Sequence, residues 1–182
     1  ELLEALRILQ AGHVSRKRMI GSWAGAMGHT QFIPSSYLRR AVDFDGDGKK
    51  NLWSLRDALA STANYLNKAG WQSGVPFGWE VKLPRNFPYE LATKSVRRPV
   101  TDWRAMGVTL RNGKRLPDYA GSTSILLPSG YKGPAFLITG NYRAILRYNN
   151  ADAYALTVAL IAERLRGGGV VVPSGLRCDC VA

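Results

Sequence analysis

The sequence predicts an α+β fold that is mainly helical, with a helical domain built from both ends of the chain and a small β-containing insertion between them. Apolar residues recur at helical spacing near both ends, whereas the middle is rich in Pro, Gly and short β-branched or aromatic runs. A hydrophobic content of 46% is typical of a globular protein. We expect the helical domain in residues 1–70 and 140–166, the insertion in residues 71–139, and a tail or linker in residues 167–182.

Three helices are predicted in the first part of the chain. Residues 1–12 form an amphipathic helix that ends at a glycine, and residues 34–40 form a short helix that begins with proline. The clearest helix opens at Ser54, a candidate N-cap, and ends near Gly70. Its apolar or small residues recur at helical spacing: Leu55, Leu59, Thr62, Ala63 and Leu66.

The second part of the chain mixes strands and helices. Short strands are predicted over residues 79–83, 124–127 and 135–139. Helical periodicity returns over residues 142–148 and again over residues 151–166, where Asn150 is a candidate cap and Gly167 a stop signal.

Charge and cysteine content exclude several classes of protein. A net charge of +12 favours a polyanionic partner, but the basic residues are scattered in short groups without a recognisable nucleic-acid module, so we expect no nucleic acid. No apolar run approaches the roughly 18 residues of a membrane span. Cys178 and Cys180 are too close for an unstrained bridge and too few for a zinc site.

Residues 21–37 (GSWAGAMGHTQFIPSSY) have the composition of a binding segment. Three glycines permit tight turns and close approach of the backbone to a ligand. Ser22 and Gln31 can form hydrogen bonds with a polar ligand. Aromatic side chains that can cover an apolar ring face lie between them and just after them: Trp23, Phe32 and Tyr37.

The segment that follows has the pattern of a calcium loop. Asp43, Asp45, Asp47 and Gly48 reproduce positions 1, 3, 5 and 6 of such a loop. Carboxylates at this spacing repel one another unless a cation gathers them, and the turn at Gly48 directs the Lys49 carbonyl inward. The sequence therefore predicts a structural calcium site.

Four segments together resemble the membrane-bound lytic transglycosylase B family, whose enzymes cut the glycan strands of bacterial peptidoglycan. These segments are residues 21–37, 41–53 (AVDFDGDGKKNLW), 58–71 (ALASTANYLNKAGW) and 145–154 (ILRYNNADAY). The resemblance implies a lysozyme-like cleft, a monomer that binds peptidoglycan strands, and a periplasmic or outer-membrane location. It implies a membrane attachment only through a lipid anchor outside this chain.

In this family a single Glu protonates the glycosidic oxygen between N-acetylmuramic acid and N-acetylglucosamine, then takes the proton of the muramyl C6 hydroxyl, which gives a 1,6-anhydro sugar. The family motif that carries it, Glu-Thr/Ser-x-x-Gly, does not occur here. We therefore expect the catalytic Glu upstream of Glu1 and the chain alone to be inactive. Glu1 and Glu4 suit the positive end of a helix dipole.

The resemblance also implies roles for individual residues. Ser22 would hydrogen-bond the catalytic Glu or a nearby sugar, and Gln31 would hold polar groups of the sugar. The cleft would be lined by Phe32, Tyr65, Tyr148 and Tyr154, with Asn149 as a further hydrogen-bonding group. From the residues alone, a buried Tyr is more often part of a core.

Asp57 completes the predicted calcium loop, residues 43–57. The last position of an ordinary calcium loop holds a bidentate Glu, but here it holds Ser54. Asp57 is the nearest substitute and matches the longer loop of the family, while helix capping is its alternative role. A non-catalytic, calcium-stabilised module that binds peptidoglycan is the alternative to an enzyme, and a nucleic-acid-binding domain ranks third.

Overall fold

The computed structural model describes residues 1–167. The predicted tail beyond Gly167, with Cys178 and Cys180, lies outside the described residues. The chain divides into two compact units, residues 1–69 and the residues from Gly70 onward. Each unit is described by itself.

The first unit contains three helices joined by long irregular segments. Helix α1 spans Leu2–Gln10, helix α2 spans Pro34–Arg40 and helix α3 spans Leu55–Lys68. All three confirm the predicted positions. The positive φ of Gly12, +70°, follows the end of α1 and explains why the chain turns there.

Helix α3 buries small and polar residues and exposes two of its leucines. Leu55 and Leu59 are exposed, and the buried side chains are Asp57, Ala58 and Ser61. The buried polar groups are satisfied, because Ser61 Oγ accepts a hydrogen bond from the Val42 N–H at 3.0 Å and Asp57 bonds two further amides. Ser54 occupies the N-cap position, but its side chain makes no capping hydrogen bond, so the predicted side-chain cap is wrong.

The second unit is built on a four-stranded antiparallel sheet with the order β2-β1-β4-β3. Its strands are β1 (Gly78–Lys82), β2 (Thr109–Leu110), β3 (Ser124–Leu126) and β4 (Ala135–Ile138). β1, β3 and β4 were predicted. The sequence analysis missed the two-residue strand β2, the 3₁₀ turn Tyr89–Leu91 and helix α4 (Val100–Ala105), because such short elements carry no periodicity.

Both faces of this sheet are buried. Along β4, Ala135 and Leu137 face one hydrophobic cluster, and Phe136 and Ile138 face another. The first cluster includes Phe87, Val100, Trp103, Val108 and Leu116. The second includes Phe77, Tyr142, Ile145, Ala155 and Ala159.

Two helices complete the second unit. Helix α5 spans Gly140–Tyr148 and helix α6 spans Asp152–Leu165. The N-cap of α6 is Ala151, so the predicted cap at Asn150 is one residue too early. Gly167, with φ +83°, follows the helix as predicted. Within this unit α5 and α6 pack on the sheet, and the predicted grouping of residues 140–166 with residues 1–70 stays a prediction.

Among residues 1–167 no helix combines the length and the apolar character that crossing a membrane requires.

Candidate functional site

The glycine-rich segment forms a tight turn that presents Ser22 and Trp23. The Ser22 N–H donates to the Ala26 carbonyl at 2.9 Å, and the Gly25 N–H donates to the Ser22 carbonyl at 2.8 Å. Ser22 Oγ accepts a further bond from the Ala26 N–H at 3.1 Å, which leaves the hydroxyl hydrogen able to donate to a ligand. Trp23 is entirely exposed at the tip of this turn. The turn therefore holds one polar and one aromatic group toward solvent.

Gln31 sits in a strained backbone conformation. It is the one non-glycine residue with positive φ, 53°, among residues 1–167. Its backbone N–H and its side-chain Nε2 both donate to the Gly28 carbonyl, at 3.2 and 2.9 Å. Strain of this kind costs on the order of 1–3 kcal/mol and concentrates at functional sites. The same bonds fix the direction of the Gln31 amide, whose oxygen can accept a bond from a ligand.

Gly28 is required by its surroundings. A Cβ at this position would lie 2.6 Å from the Leu52 carbonyl oxygen, and the φ of Gly28 is +62°. The neighbouring His29 N–H donates to that same carbonyl at 2.9 Å. The glycine-rich segment is thereby held against the backbone just before α3.

Phe32 and Tyr65 are brought together within the first unit. Their ring centroids lie 5.5 Å apart at an angle of 44°, and the Arg40 guanidinium lies 5.6 Å from the centroid of the Tyr65 ring. Phe32 is buried, whereas Tyr65 is partly exposed. Phe32 therefore supports the Tyr65 ring, and Tyr65 is the member of the pair that a ligand can reach.

The acidic loop gathers three of its four predicted carboxylates. Asp43, Asp45 and Asp57 each offer an oxygen within 4.8 Å of the others. Asp57 is 1% exposed. No Lys or Arg in residues 1–167 forms an ion pair with these three groups, so their mutual repulsion is not relieved by a cationic side chain. Hard oxygen donors collected in this way fit a calcium ion.

Asp57 acts as a buried acceptor for both ends of the loop. Its Oδ1 accepts the Phe44 N–H at 2.9 Å and its Oδ2 accepts the Asn51 N–H at 2.8 Å. These bonds go to the loop and not to the first turn of α3, so Asp57 does not cap the helix. A carboxylate oxygen with one such bond still has a lone pair for a metal.

The remaining predicted ligands lie on the exposed side of the loop. Asp47 Oδ1 accepts the Lys49 N–H at 2.8 Å, and its carboxylate is outside the three-residue cluster. Asp43 accepts the Gly46 and Gly48 N–H groups, both at 2.8 Å. These bonds shape the loop around the cluster, and the roles of Asp47 and the Lys49 carbonyl as ligands stay predictions.

Tyr148 and Tyr154 are stacked in the second unit. Their rings are nearly parallel, at 7°, with centroids 6.5 Å apart. Tyr148 ends α5, Asn149 is the exposed C-cap residue, and Tyr154 lies in the first turn of α6. The sharp connection between the two helices thus places two aromatic faces and one amide close together.

The start of α6 is anchored by a polar network that sequence reasoning missed. Lys94 Nζ donates to both carboxylate oxygens of Asp152, at 2.7 and 2.9 Å. The buried Tyr142 hydroxyl donates to Asp152 Oδ1 at 3.1 Å, and burial raises the pKa of Tyr142 well above its ordinary value. Tyr142 and Asp152 therefore hold the α5–α6 connection in place, although no sequence motif links Lys94 to them.

The Glu1 carboxylate is bonded to Ser35 in the first turn of α2. Its carboxylate accepts bonds from the Ser35 hydroxyl at 2.6 Å and the Ser35 N–H at 2.9 Å. These hydrogen bonds lower the pKa of Glu1 below its ordinary value. A general acid at neutral pH needs a raised pKa.

The chain is similar to known transglycosylases. A family model described as a transglycosylase SLT domain matches residues 1–163. The chain is 35% identical over 143 residues to the membrane-bound lytic murein transglycosylase B of Escherichia coli strain K12. The matched region covers 76% of this chain and 37% of that protein.

Solved structures extend the agreement to the fold. SltB3 from Pseudomonas aeruginosa, in complex with NAG-anhNAM-pentapeptide, is 56% identical with a TM-score of 0.91, covering 94% of this chain and 46% of that one. The Escherichia coli lytic transglycosylase Slt35, in complex with calcium, is 31% identical with a TM-score of 0.73, covering 90% of this chain and 51% of that one. This chain thus spans about half, or less, of the length of these relatives.

The fold is that of the lysozyme-like transglycosylases, which here comprises helices and a small antiparallel sheet. Since the family model covers most of the chain, this protein belongs to the transglycosylase SLT domain family, as the four sequence segments predicted.

Proposed function

We propose that this protein is part of a peptidoglycan lytic transglycosylase, which cleaves the bond between N-acetylmuramic acid and N-acetylglucosamine and leaves 1,6-anhydromuramyl ends. The observation that supports this most is the 94% coverage of the chain at 56% identity by SltB3, whose structure holds a NAG-anhNAM-pentapeptide. The anhydro sugar in that ligand is the type of product that we propose here. The activity makes the protein a lyase that acts on a polysaccharide.

The geometry supports glycan binding by both units. In the first, the Ser22 hydroxyl and the Gln31 amide are held by hydrogen bonds in fixed directions, beside an exposed Trp and the Phe32–Tyr65 pair. In the second, Tyr148, Asn149 and Tyr154 form an aromatic and polar group. Sugars are typically bound in this way, with aromatic rings on their apolar faces and amides or hydroxyls on their polar edges.

We assign the general acid to no residue of this chain. Glu1 has a lowered pKa, and the family logic places the acid in a Glu-Thr/Ser-x-x-Gly motif that the sequence lacks. What the described residues supply is binding and orientation. Ser22 can donate to the acid or to a sugar, and Gln31 can accept from a sugar hydroxyl.

We also propose that calcium binds the acidic loop through Asp43, Asp45, Asp57, Asp47 and the Lys49 carbonyl. The buried Asp57 and the close approach of three carboxylates support this, as does the relative Slt35 in complex with calcium. The ion would offset carboxylate repulsion and stabilise the loop. Its role would be structural.

Product analysis tests the activity. Purified peptidoglycan is digested with residues 1–182 and, separately, with a longer chimeric protein in which they replace the matching part of SltB3. The products are analysed by mass spectrometry for 1,6-anhydromuramyl ends. We expect such ends from the longer protein and none from residues 1–182 alone. If neither protein produces them and both still bind the wall, the alternative of a non-catalytic, calcium-stabilised binding module is correct.

Location and assembly stay predictions. A periplasmic or outer-membrane-associated position, a lipid anchor outside this chain and a monomeric state follow from the family resemblance. Fractionation of the cell envelope and sedimentation of the purified protein test them.

A further inference from the structure

The second unit contains a groove that shares no residue with the candidate sugar site. It is a cavity of about 250 Å³ at one end of the sheet. Four segments contribute the side chains that matter: Glu80 and Lys82 on β1, Tyr89 on the 3₁₀ turn, Arg111 after β2, and Leu127 and Tyr131 before β4. We call this the tyrosine groove.

We propose that the tyrosine groove binds an acidic peptide, namely the carboxylate-bearing stem peptide of peptidoglycan. This inference rests on the proposed function for the identity of the peptide. The charge and the aromatic groups of the groove favour an acidic peptide independently of the proposed function.

The charge of the groove is positive. Glu80 is the one acid in the lining, and both of its carboxylate oxygens accept bonds from Arg111 Nη1, at 2.8 and 3.0 Å. Lys82 is exposed on the same edge, and Lys132 Nζ lies 5.6 Å from the centroid of the Tyr131 ring. Within the described residues neither lysine forms an ion pair, so two ammonium groups remain for a carboxylate ligand.

The aromatic side of the groove is preorganised. The rings of Tyr89 and Tyr131 meet edge to face with centroids 6.2 Å apart, and both residues are exposed. Tyr89 in turn packs edge to face on the buried Phe87, at 5.7 Å, and Phe87 packs on the buried Trp103, at 6.3 Å. A row of rings thus connects the groove to the hydrophobic core. A rigid Tyr binds with little loss of conformational entropy.

Size and charge favour a peptide over a nucleic acid. A cavity of about 250 Å³ accommodates a few residues of an extended peptide. A DNA-binding protein can make about 6–10 phosphate contacts. Among the described residues, only two lysines without an ion pair are at hand here, Lys82 in the lining and Lys132 beside Tyr131. Glycan without its stem peptides lacks the peptide carboxylates that these lysines would pair with.

The test uses the double variant Lys82→Glu, Tyr131→Ala in residues 1–182, with Lys114→Glu as the matched control. Lys114 is exposed in the same unit and lies outside the groove lining. Circular dichroism and thermal unfolding of all three proteins verify that the fold is kept. The probes are a synthetic stem pentapeptide with free carboxylates and its fully amidated counterpart, titrated by NMR and calorimetry.

We expect the wild type and Lys114→Glu to bind the acidic pentapeptide with equal affinity, and the double variant to bind it on the order of tenfold more weakly. The amidated peptide should bind wild type as weakly as the acidic one binds the double variant. Equal binding of the acidic peptide by wild type and double variant, or no binding by wild type, would overturn the proposal. Displacement of the bound peptide by duplex DNA at lower concentration than by a second peptide would also overturn it.

A second measurement separates this proposal from the proposed function. Cosedimentation is measured with intact peptidoglycan and with glycan strands from which an amidase has removed the peptides. The double variant should lose affinity for the intact wall and keep the wild-type affinity for stripped strands. If the wild type binds the acidic pentapeptide at the groove but the longer protein makes no 1,6-anhydro ends, the proposed function fails and the peptide site stands.

Discussion

Each unit is stabilised internally by a different kind of interaction. In the first unit, the loop of residues 41–51 is attached to α3 through polar bonds to Asp57 and Ser61. The end of α2 is attached through Asn64, whose Nδ2 donates to the Arg40 carbonyl at 2.7 Å. In the second unit, a sheet is covered by apolar clusters on both faces. The first unit should therefore respond to charge and to calcium, and the second should respond to changes in packing volume.

The largest effect that we expect is a packing defect in the second unit. Phe136 is 1% exposed and lies in the cluster between the sheet and helices α5 and α6. Phe136→Ala should lower the free energy of unfolding by about 3–5 kcal/mol, because it removes a large buried side chain and leaves a cavity. Urea denaturation measures this, and the loss should be the same with and without calcium. A loss that calcium reverses would contradict the division of roles between the units.

A charge defect in the first unit should rank next. Asp57→Asn replaces an acceptor of two amides by a group whose single oxygen can take the place of only one of the two carboxylate oxygens, so one partly buried N–H loses its partner. We expect a loss of about 2–3 kcal/mol in calcium-free buffer. Asp102→Asn is the control, because Asp102 is partly exposed and its Oδ2 lies 3.7 Å from Arg98 Nη1. This change should lower the free energy of unfolding by less than about 1 kcal/mol. Equal losses of stability in Asp57→Asn and Asp102→Asn would mean that the burial of Asp57 does not raise the cost of replacing it.

Calcium itself should act on the first unit alone. At a concentration 100 times its dissociation constant, an ion that binds only the folded state stabilises it by about 2.7 kcal/mol. Hydrogen exchange should show slower amide exchange in residues 41–58 and no change in the sheet. Asp45→Asn should abolish the response without lowering the stability of the calcium-free protein, because Asp45 is exposed and its removal relieves repulsion. A calcium response that persists in Asp45→Asn would place the ion elsewhere.

The smallest effect on stability should come from Trp23. The side chain is entirely exposed, so Trp23→Ala should change the free energy of unfolding by less than about 0.5 kcal/mol. Its effect should appear in binding: a weaker affinity for peptide-free glycan fragments in calorimetry, with Trp23→Tyr closer to wild type because an aromatic face is kept. Unchanged affinity in Trp23→Ala would remove this residue from the sugar site.

Much of the fold was accessible from the sequence because its signals are local. Helix α2 begins at a proline, and strands β1, β3 and β4 are short apolar runs between turn residues. Helix α4 and strand β2 were missed, since elements of six and two residues have too few turns or pairs to show a period. The four segments that resemble the family identified the chain correctly.

The candidate site also combines features that the sequence shows with features that only the structure shows. Ser22, Gln31 and the acidic loop could be identified in the sequence from residue type and spacing. Hydropathy does not reveal the buried face of α3. Leu55 and Leu59 are exposed, whereas Asp57 and Ser61 are buried and bond to the loop that precedes the helix.

The sequence by itself determined the family, the positions of the longer helices and of strands β1, β3 and β4, and the residues proposed as calcium ligands, because each depends on residue identity at short spacing. Tertiary structure alone decided which of those groups meet. It brought Asp57 to Asp43 and Asp45, stacked Tyr148 on Tyr154, and connected Tyr131 through Tyr89 to a buried core. The physical reason is that such contacts join residues from separate segments of the chain, where local propensity has no influence and only the packing of the whole unit sets the distance.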